Sequence, residues 1–229
     1  MKIGTATVLA LWLLASGSPL PAWADPESKP GCRDAVVTAL QQRYESAKDF
    51  RADIVQTTRS VTLGTDSSEQ MTSKGTVVFA KPGKMRWSYE EPEPSLVISD
   101  GETLWIYDLV FREAQKFPAT DGFMSGAAIQ FLLGNGEIER DFEISALRCE
   151  TAAAELLLVP REPSSYEKLH VLVNPQNGDL LKTTVFFVLG NVTEVAFSNI
   201  ELNRNPAASV FRLDPPADVR VIELGEPSQ

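Results

Sequence analysis

His170 is the only histidine of the chain, and Cys32 and Cys149 are its only cysteines. With a few acid pairs, these are the residues equipped for chemistry. His170 stands in Leu169-His170-Val171, which reads as strand. A general base acts on a nucleophile within reach, and no Ser or Cys lies near His170 in a recognisable nucleophile setting. A structural histidine is the plainer reading. Glu90-Glu91, and Asp141 with Glu143, have no spacing that sets one carboxylate against another as acid and base. Gly134-Asn135-Gly136 is too short for a phosphate loop and reads as a helix stop. One histidine and two cysteines fall short of the usual four-ligand zinc set. Asn191-Val192-Thr193 fits a glycosylation sequon, a pattern that is common by chance. No catalytic residues, no metal and no cofactor are expected.

The charge balance narrows the partners. Lys plus Arg total 21 and Asp plus Glu total 31, for a formal charge of −10. A nucleic-acid binder would normally carry a basic face, so none is expected. Hydrophobic residues make up 43% of the 229 positions, enough for one globular core.

The N-terminus reads as an address. Lys2, an apolar run from Thr7 to Ala15 and the closing Ala22-Trp23-Ala24 have the layout of a secretory signal cut after Ala24. The apolar run is shorter than the ~20 residues of a membrane span. Residues 1–24 are therefore assigned to a signal peptide and 25–229 to a single exported domain. The residues before Cys32 are Lys29-Pro30-Gly31, a poor match to a lipid-attachment signal. In an oxidising compartment Cys32 and Cys149 can pair. A bond closing so long a loop is credited with about 4–5 kcal/mol by chain-entropy arguments. Two separate buried thiols are the alternative. There is no Cys-x-x-Cys, so the bond would be a staple and not a redox site.

The remaining pattern describes what must position an apolar interior. Val36, Ala39, Leu40 and Ala47 recur at helical spacing over 34–48, with Val37 and Tyr44 at the edges of the stripe. From Phe50 the period changes to two. Short apolar or β-branched runs then recur at hairpin spacing, with Asp100-Gly101 the strongest turn signal. Residues 122–133 suit a short apolar helix. About ten or eleven strands result, forming a strongly bent or nearly closed antiparallel sheet. Leu104-Trp105-Ile106-Tyr107, Leu156-Leu157-Leu158-Val159 and Val185-Phe186-Phe187-Val188 are apolar on consecutive positions, so both faces must be partly covered. Either a few helices roof an apolar hollow, or the core is solidly filled.

One ordered series carries a resemblance. Gly75-Thr76-Val77-Val78-Phe79-Ala80-Lys81-Pro82-Gly83-Lys84-Met85-Arg86-Trp87-Ser88-Tyr89 is followed by Pro92 and then by Ser99-Asp100-Gly101-Glu102-Thr103-Leu104-Trp105-Ile106-Tyr107-Asp108. This resembles the outer-membrane lipoprotein carrier protein family, LolA. Looser similarity extends from the helix at 34–48 to Phe211-Arg212-Leu213-x-Pro215-Pro216.

The resemblance implies an unclosed antiparallel β-barrel with a helical lid over an apolar cavity. It implies a periplasmic chaperone and not an enzyme. Its cargo would be triacylated lipoproteins, received from an inner-membrane ABC transporter complex and passed to an outer-membrane receptor, with the carrier acting as a monomer. Phe79, Met85 and Trp87 would line the acyl-chain site, with Phe131 and Leu132 on the lid. In well-known members an arginine precedes the Pro and ties the barrel to lid carbonyls; here that position is Lys81. Lysine keeps the charge without the planar fork, which implies a weaker latch. A solvated surface lysine is the bland reading of Lys81, and a core position that of Met85. Two other functions stay open at this point. One is a related lipid-binding or envelope-sensing module with another acylated ligand; the other is a hydrolase whose site the sequence does not display.

Overall fold

The chain was analysed as a computed structural model that describes residues 31–61, 68–119 and 138–224. Its first element is the helix α1, Cys32–Glu45. The change of period at Phe50 then opens β1, Asp49–Val61, which turns back into β2, Ser68–Ala80. A meander follows: β3 (Lys84–Glu91), β4 (Ser95–Ser99), β5 (Thr103–Asp108) and β6 (Glu113–Pro118). After the short helix α2, Ile138–Asp141, come β7 (Phe142–Cys149), β8 (Ala154–Pro160), β9 (Tyr166–Val173), β10 (Leu180–Phe187) and β11 (Val192–Leu202). A last strand, β12, spans Arg220–Glu223.

Among the described residues twelve strands join one open sheet in the order β12-β6-β5-β4-β3-β2-β1-β11-β10-β9-β8-β7. It is a mainly β, unclosed barrel. The count exceeds the ten or eleven expected, and β12 lies parallel to β6 where the rest of the sheet is antiparallel. The sheet bends where registers slip. Opposite β11 the register of β1 shifts between Arg51 and Asp53. Nearby, Asn199 takes φ 52° and donates from Nδ2 to Asp53 Oδ2 at 2.6 Å. Such bulges add local twist and curl a sheet.

Strict alternation puts one residue set on the concave side. Phe50, Ala52 and Ile54 face inward from β1, and Phe79 and Val77 stand opposite Phe50 and Ala52. Phe79 pairs with Met85, and Val77 with Trp87. The Pro82-Gly83 turn therefore keeps the parity that puts Phe79, Met85 and Trp87 on one face. From the other half come Val195 and Phe197, Leu169 and Val171, and Leu156 and Leu158, all buried.

The consecutive apolar residues of β5 have a second cover. Beyond β11 the chain runs back across the outer side of the sheet to reach β6. The Asp49 carboxylate accepts from the backbone N–H of Arg204 at 2.7 Å and of Asn205 at 3.0 Å. Arg86, which alternates away from Met85 and Trp87, donates from Nη1 to Val210 O at 3.2 Å. Phe211 and Val219 of this strap are buried, and so are Ile98 and Ala114, whose registers place them on the outer side. On the other half of the sheet the outward Phe186 is covered by polar neighbours. Lys168 Nζ lies 4.8 Å from its ring centre and the His170 ring 4.8 Å away. His170 in turn pairs with Glu155 at 3.2 Å, a surface arrangement facing away from the concave side.

Two local readings are corrected. Val37 and Tyr44 are not edge positions of α1 but among its most buried residues. The Tyr44 hydroxyl reaches over the sheet end to accept from Leu180 N at 2.9 Å. Phe111 is not in a strand; it sits at the β5–β6 turn, 77% exposed. Asp108 fixes that turn by accepting from the N–H groups of Val110 and Phe111.

Candidate functional site

The concave face carries a row of aromatic rings that crosses four elements. Tyr44 of α1 lies 6.0 Å from Phe50, Phe50 lies 5.9 Å from Phe79, Phe79 lies 6.0 Å from Trp87, and Trp87 lies 6.0 Å from Tyr89. Phe197 meets Phe50 edge-on at 6.0 Å. Centroid distances of this order are those of favourable aromatic pairs. The row ends on polar ground, where the Tyr89 hydroxyl donates to Gln56 Oε1 at 2.9 Å.

Of the residues expected in an acyl-chain site, Phe79, Met85 and Trp87 stand together on this face at 1%, 5% and 8% exposure. Phe131 and Leu132 lie outside the described residues. Tyr44, Phe50, Tyr89 and Phe197 extend the row and were not singled out from sequence. Phe50 was legible as a strand residue, but its place beside Phe79 depends on the β1–β2 register.

The helix α1 covers one end of the face and is held at both of its own ends. At its start Cys32 is bonded to Cys149 at the end of β7, and the two Cα atoms are 6.4 Å apart. Arg33 donates from Nε to Ile144 O at 3.3 Å, which occupies a carbonyl of β7, the last strand of the sheet among the described residues. In mid-helix the fit is tight. A Cβ on Gly178 would come within 2.3 Å of Ala39 O, and Gly178 takes φ +74° in the β9–β10 turn. Arg43 pairs with Asp179 of that turn at 2.8 Å. At the last turn Lys81 donates from Nζ to Tyr44 O at 2.7 Å and to Glu45 O at 3.2 Å. A cation on the final carbonyls of a helix also meets the favourable end of its dipole. Partial burial holds the Lys81 amine below its ordinary value, with Glu45 pulling the other way.

Electrostatics on the face favour neutral groups. Burial pushes Tyr44 up to about 12, opposed by the hydrogen bond from Leu180. Burial pushes Tyr89 up to about 12 as well. Trp87 is the exception to full satisfaction. Its buried indole Nε1 has no acceptor among the described residues. An unsatisfied buried donor costs about 1–3 kcal/mol, and native interiors contain few.

Two clefts flank the helix. One of about 640 Å³ is lined by Gln42, Arg43, Ser46, Asn177, Asn203 and Arg204, among others. The other, of about 390 Å³, lies between α1 and α2 and includes Val37, Thr38, Gln41 and Ile138. Their walls are mostly polar. The buried apolar side chains gather instead on the concave face. Among the described residues no group of three His, Cys, Asp or Glu side chains could hold a metal ion.

Comparison with known proteins agrees with this geometry. The family model described as outer membrane lipoprotein carrier protein LolA matches residues 45–214. An outer-membrane lipoprotein carrier protein of Nitrosospira multiformis is 32% identical over 188 residues, covering 81% of this chain and 87% of that one. Its counterpart in Dechloromonas aromatica is 30% identical over 187 residues, covering 80% and 87%. A solved structure of an uncharacterized conserved protein from Thermus thermophilus shares the fold with a TM-score of 0.51 at 10% identity, covering 83% of this chain and 98% of the other. The match spans most of the sheet and the Lys81-to-Asp108 series, and the chain belongs to the outer membrane lipoprotein carrier protein LolA family.

Proposed function

We propose that this chain is a periplasmic chaperone that shields the acyl chains of lipoproteins released from the inner membrane and delivers them to an outer-membrane receptor. The observation that carries this reading is the concave aromatic row beneath a helix pinned at both ends. Each methylene kept from water is worth about 0.8 kcal/mol, so three acyl chains need tens of kcal/mol of cover. The concave apolar face would supply it once its cover lifts. A helix held by a disulfide at one end and by two polar hydrogen bonds at the other supplies a cover that can yield. The Lys81 contacts are the reversible ones, and Lys81 acts as the latch. Phe79, Met85 and Trp87 act as acyl contacts. The role is binding and handover, with no reaction assigned to it.

On this reading residues 1–24 are a cleaved signal and 25–229 work as one monomeric domain. An inner-membrane ABC transporter complex loads triacylated lipoproteins, and the receptor unloads them. The family supports the carrier role. No helix among the described residues is long and apolar enough to cross a membrane.

Mass spectrometry of material extracted from the protein purified from its own envelope tests this. Triacylated proteins are the expected load. Free lipids instead would assign the chain to a related lipid-binding or envelope-sensing role. A lipid-free extract, with no uptake of lipoprotein offered in vitro, would overturn the proposal.

A further inference from the structure

We propose that the indole N–H of Trp87 is the hydrogen-bond donor that receives a carbonyl oxygen of the cargo's acyl linkage. The inference deepens the carrier reading and rests on it. Trp87 is 8% exposed and stands on the concave face, with Phe79 against it at 76° and Tyr89 stacked on it at 29°. Neither ring offers Trp87 an oxygen. The Tyr89 hydroxyl donates to Gln56 and does not accept from the indole. The donor is therefore left without an acceptor among the described residues. Phenylalanine would fill this aromatic stack without the cost of a buried orphan N–H. A tryptophan here has a use if the missing acceptor arrives with the ligand.

The chemistry of the ligand names that acceptor. An acyl chain is hydrocarbon except at its head, where an ester or amide carbonyl is the sole strong acceptor. A single donor on an apolar wall thus sets how deep the chain sits: methylenes run along the aromatic row, and the carbonyl stops at Trp87. A hydrogen bond made inside a low-dielectric wall is also directional, which an apolar wall alone is not.

The test compares a diacyl phospholipid with its dialkyl ether twin, identical but for the two carbonyls. The mature chain is labelled with ¹⁵N at indole nitrogen, and the Trp87 resonance is assigned by its loss in Trp87→Phe. The expected result is a downfield shift of the Trp87 N–H proton with the ester lipid and none with the ether. The wild-type chain should bind the ester about 3- to 10-fold more tightly than the ether, a preference that Trp87→Phe abolishes. Equal shifts with both lipids, or a preference that survives Trp87→Phe, would overturn the donor role while leaving the carrier reading in place. Binding of neither lipid by the wild-type chain would also overturn the donor role, since the row would then take up no acyl carbonyl, while the carrier reading is judged by its lipoprotein load. Trp105→Phe, which leaves Trp87 as the one tryptophan of residues 25–229, assigns the same resonance and keeps the test decisive even if Trp87→Phe folds poorly.

Discussion

The ammonium of Lys81, at the turn between β2 and β3, donates to the carbonyl oxygen of Tyr44 at 2.7 Å and so joins the sheet to the last turn of α1. Glu45 O is the second acceptor at 3.2 Å. Both contacts are polar and close to solvent, so water can replace them. They suit a cover that must lift.

Lys81→Leu removes both donors. The expected loss is about 1–2 kcal/mol, since a hydrogen bond from a charged donor is worth more than a neutral one but the freed carbonyls can rehydrate. Urea unfolding measures it. Hydrogen exchange should speed up in the last turn of α1, while Lys81→Arg, which keeps the donors, should leave it slow. If Lys81→Leu leaves both exchange and cargo transfer unchanged, Lys81 is not a latch.

The Cys32–Cys149 bond spans 117 residues of sequence and fixes the opposite end of the same helix. Reduction, or Cys32→Ser with Cys149→Ser, should cost about 2–4 kcal/mol, because it frees a long loop in the unfolded chain. Calorimetry with and without a reductant checks this. The double variant should show no further response to reductant. Exchange should rise first around Arg33 and Val36, not around Tyr44.

Much of the sheet was legible because alternation and turn chemistry are local. Asp100-Gly101 is one case. The Asp100 carboxylate accepts from the N–H groups of Glu102 and Thr103, and Gly101 takes φ +100°. The first half of β2, from Ser68 to Lys74, was missed because it has no apolar alternation; its pairing with β1 holds it extended. The parallel seat of β12 was missed because it depends on a strap crossing the outer face, which no local pattern encodes. For the site, a shared face for Phe79, Met85 and Trp87 depended on the parity of the Pro82-Gly83 turn, which only the β2–β3 register settles. Lys81 came from family likeness and not from periodicity. The unmet donor of Trp87 is invisible in sequence, since satisfaction depends on neighbours brought together by the fold.

Gly178→Ala tests the seat of the helix from the side of the sheet. The added Cβ would meet Ala39 O at 2.3 Å with φ at +74°, so both the backbone and the helix must shift. A cost of about 1–3 kcal/mol is expected from strain and overpacking together. Thermal unfolding reads the cost. The Arg43–Asp179 pair should loosen with it, and a substitution without effect would mean that α1 does not rest on this turn.

Stability at high pH isolates Tyr44. Tyr44 and Tyr89 ionise near 10 in an unfolded chain and are pushed up to about 12 in the fold by burial. Between those values the unfolded chain sheds protons that the folded chain keeps. Their contribution is intact below pH 10 and is lost as pH climbs through 12, with a limiting slope of about 1.4 kcal/mol per pH unit for each tyrosine. Tyr44→Phe removes one of these, so the alkaline fall should become shallower, with Tyr89 and Tyr166, which burial also pushes up, left to carry the rest. The same variant should be less stable at neutral pH by about 1–3 kcal/mol, because Leu180 N loses its acceptor in a buried setting. Urea midpoints from pH 8 to 11.5 give both numbers. An alkaline slope unchanged by Tyr44→Phe would show that Tyr44 ionises as freely in the fold as outside it, and that its place under α1 is open to water.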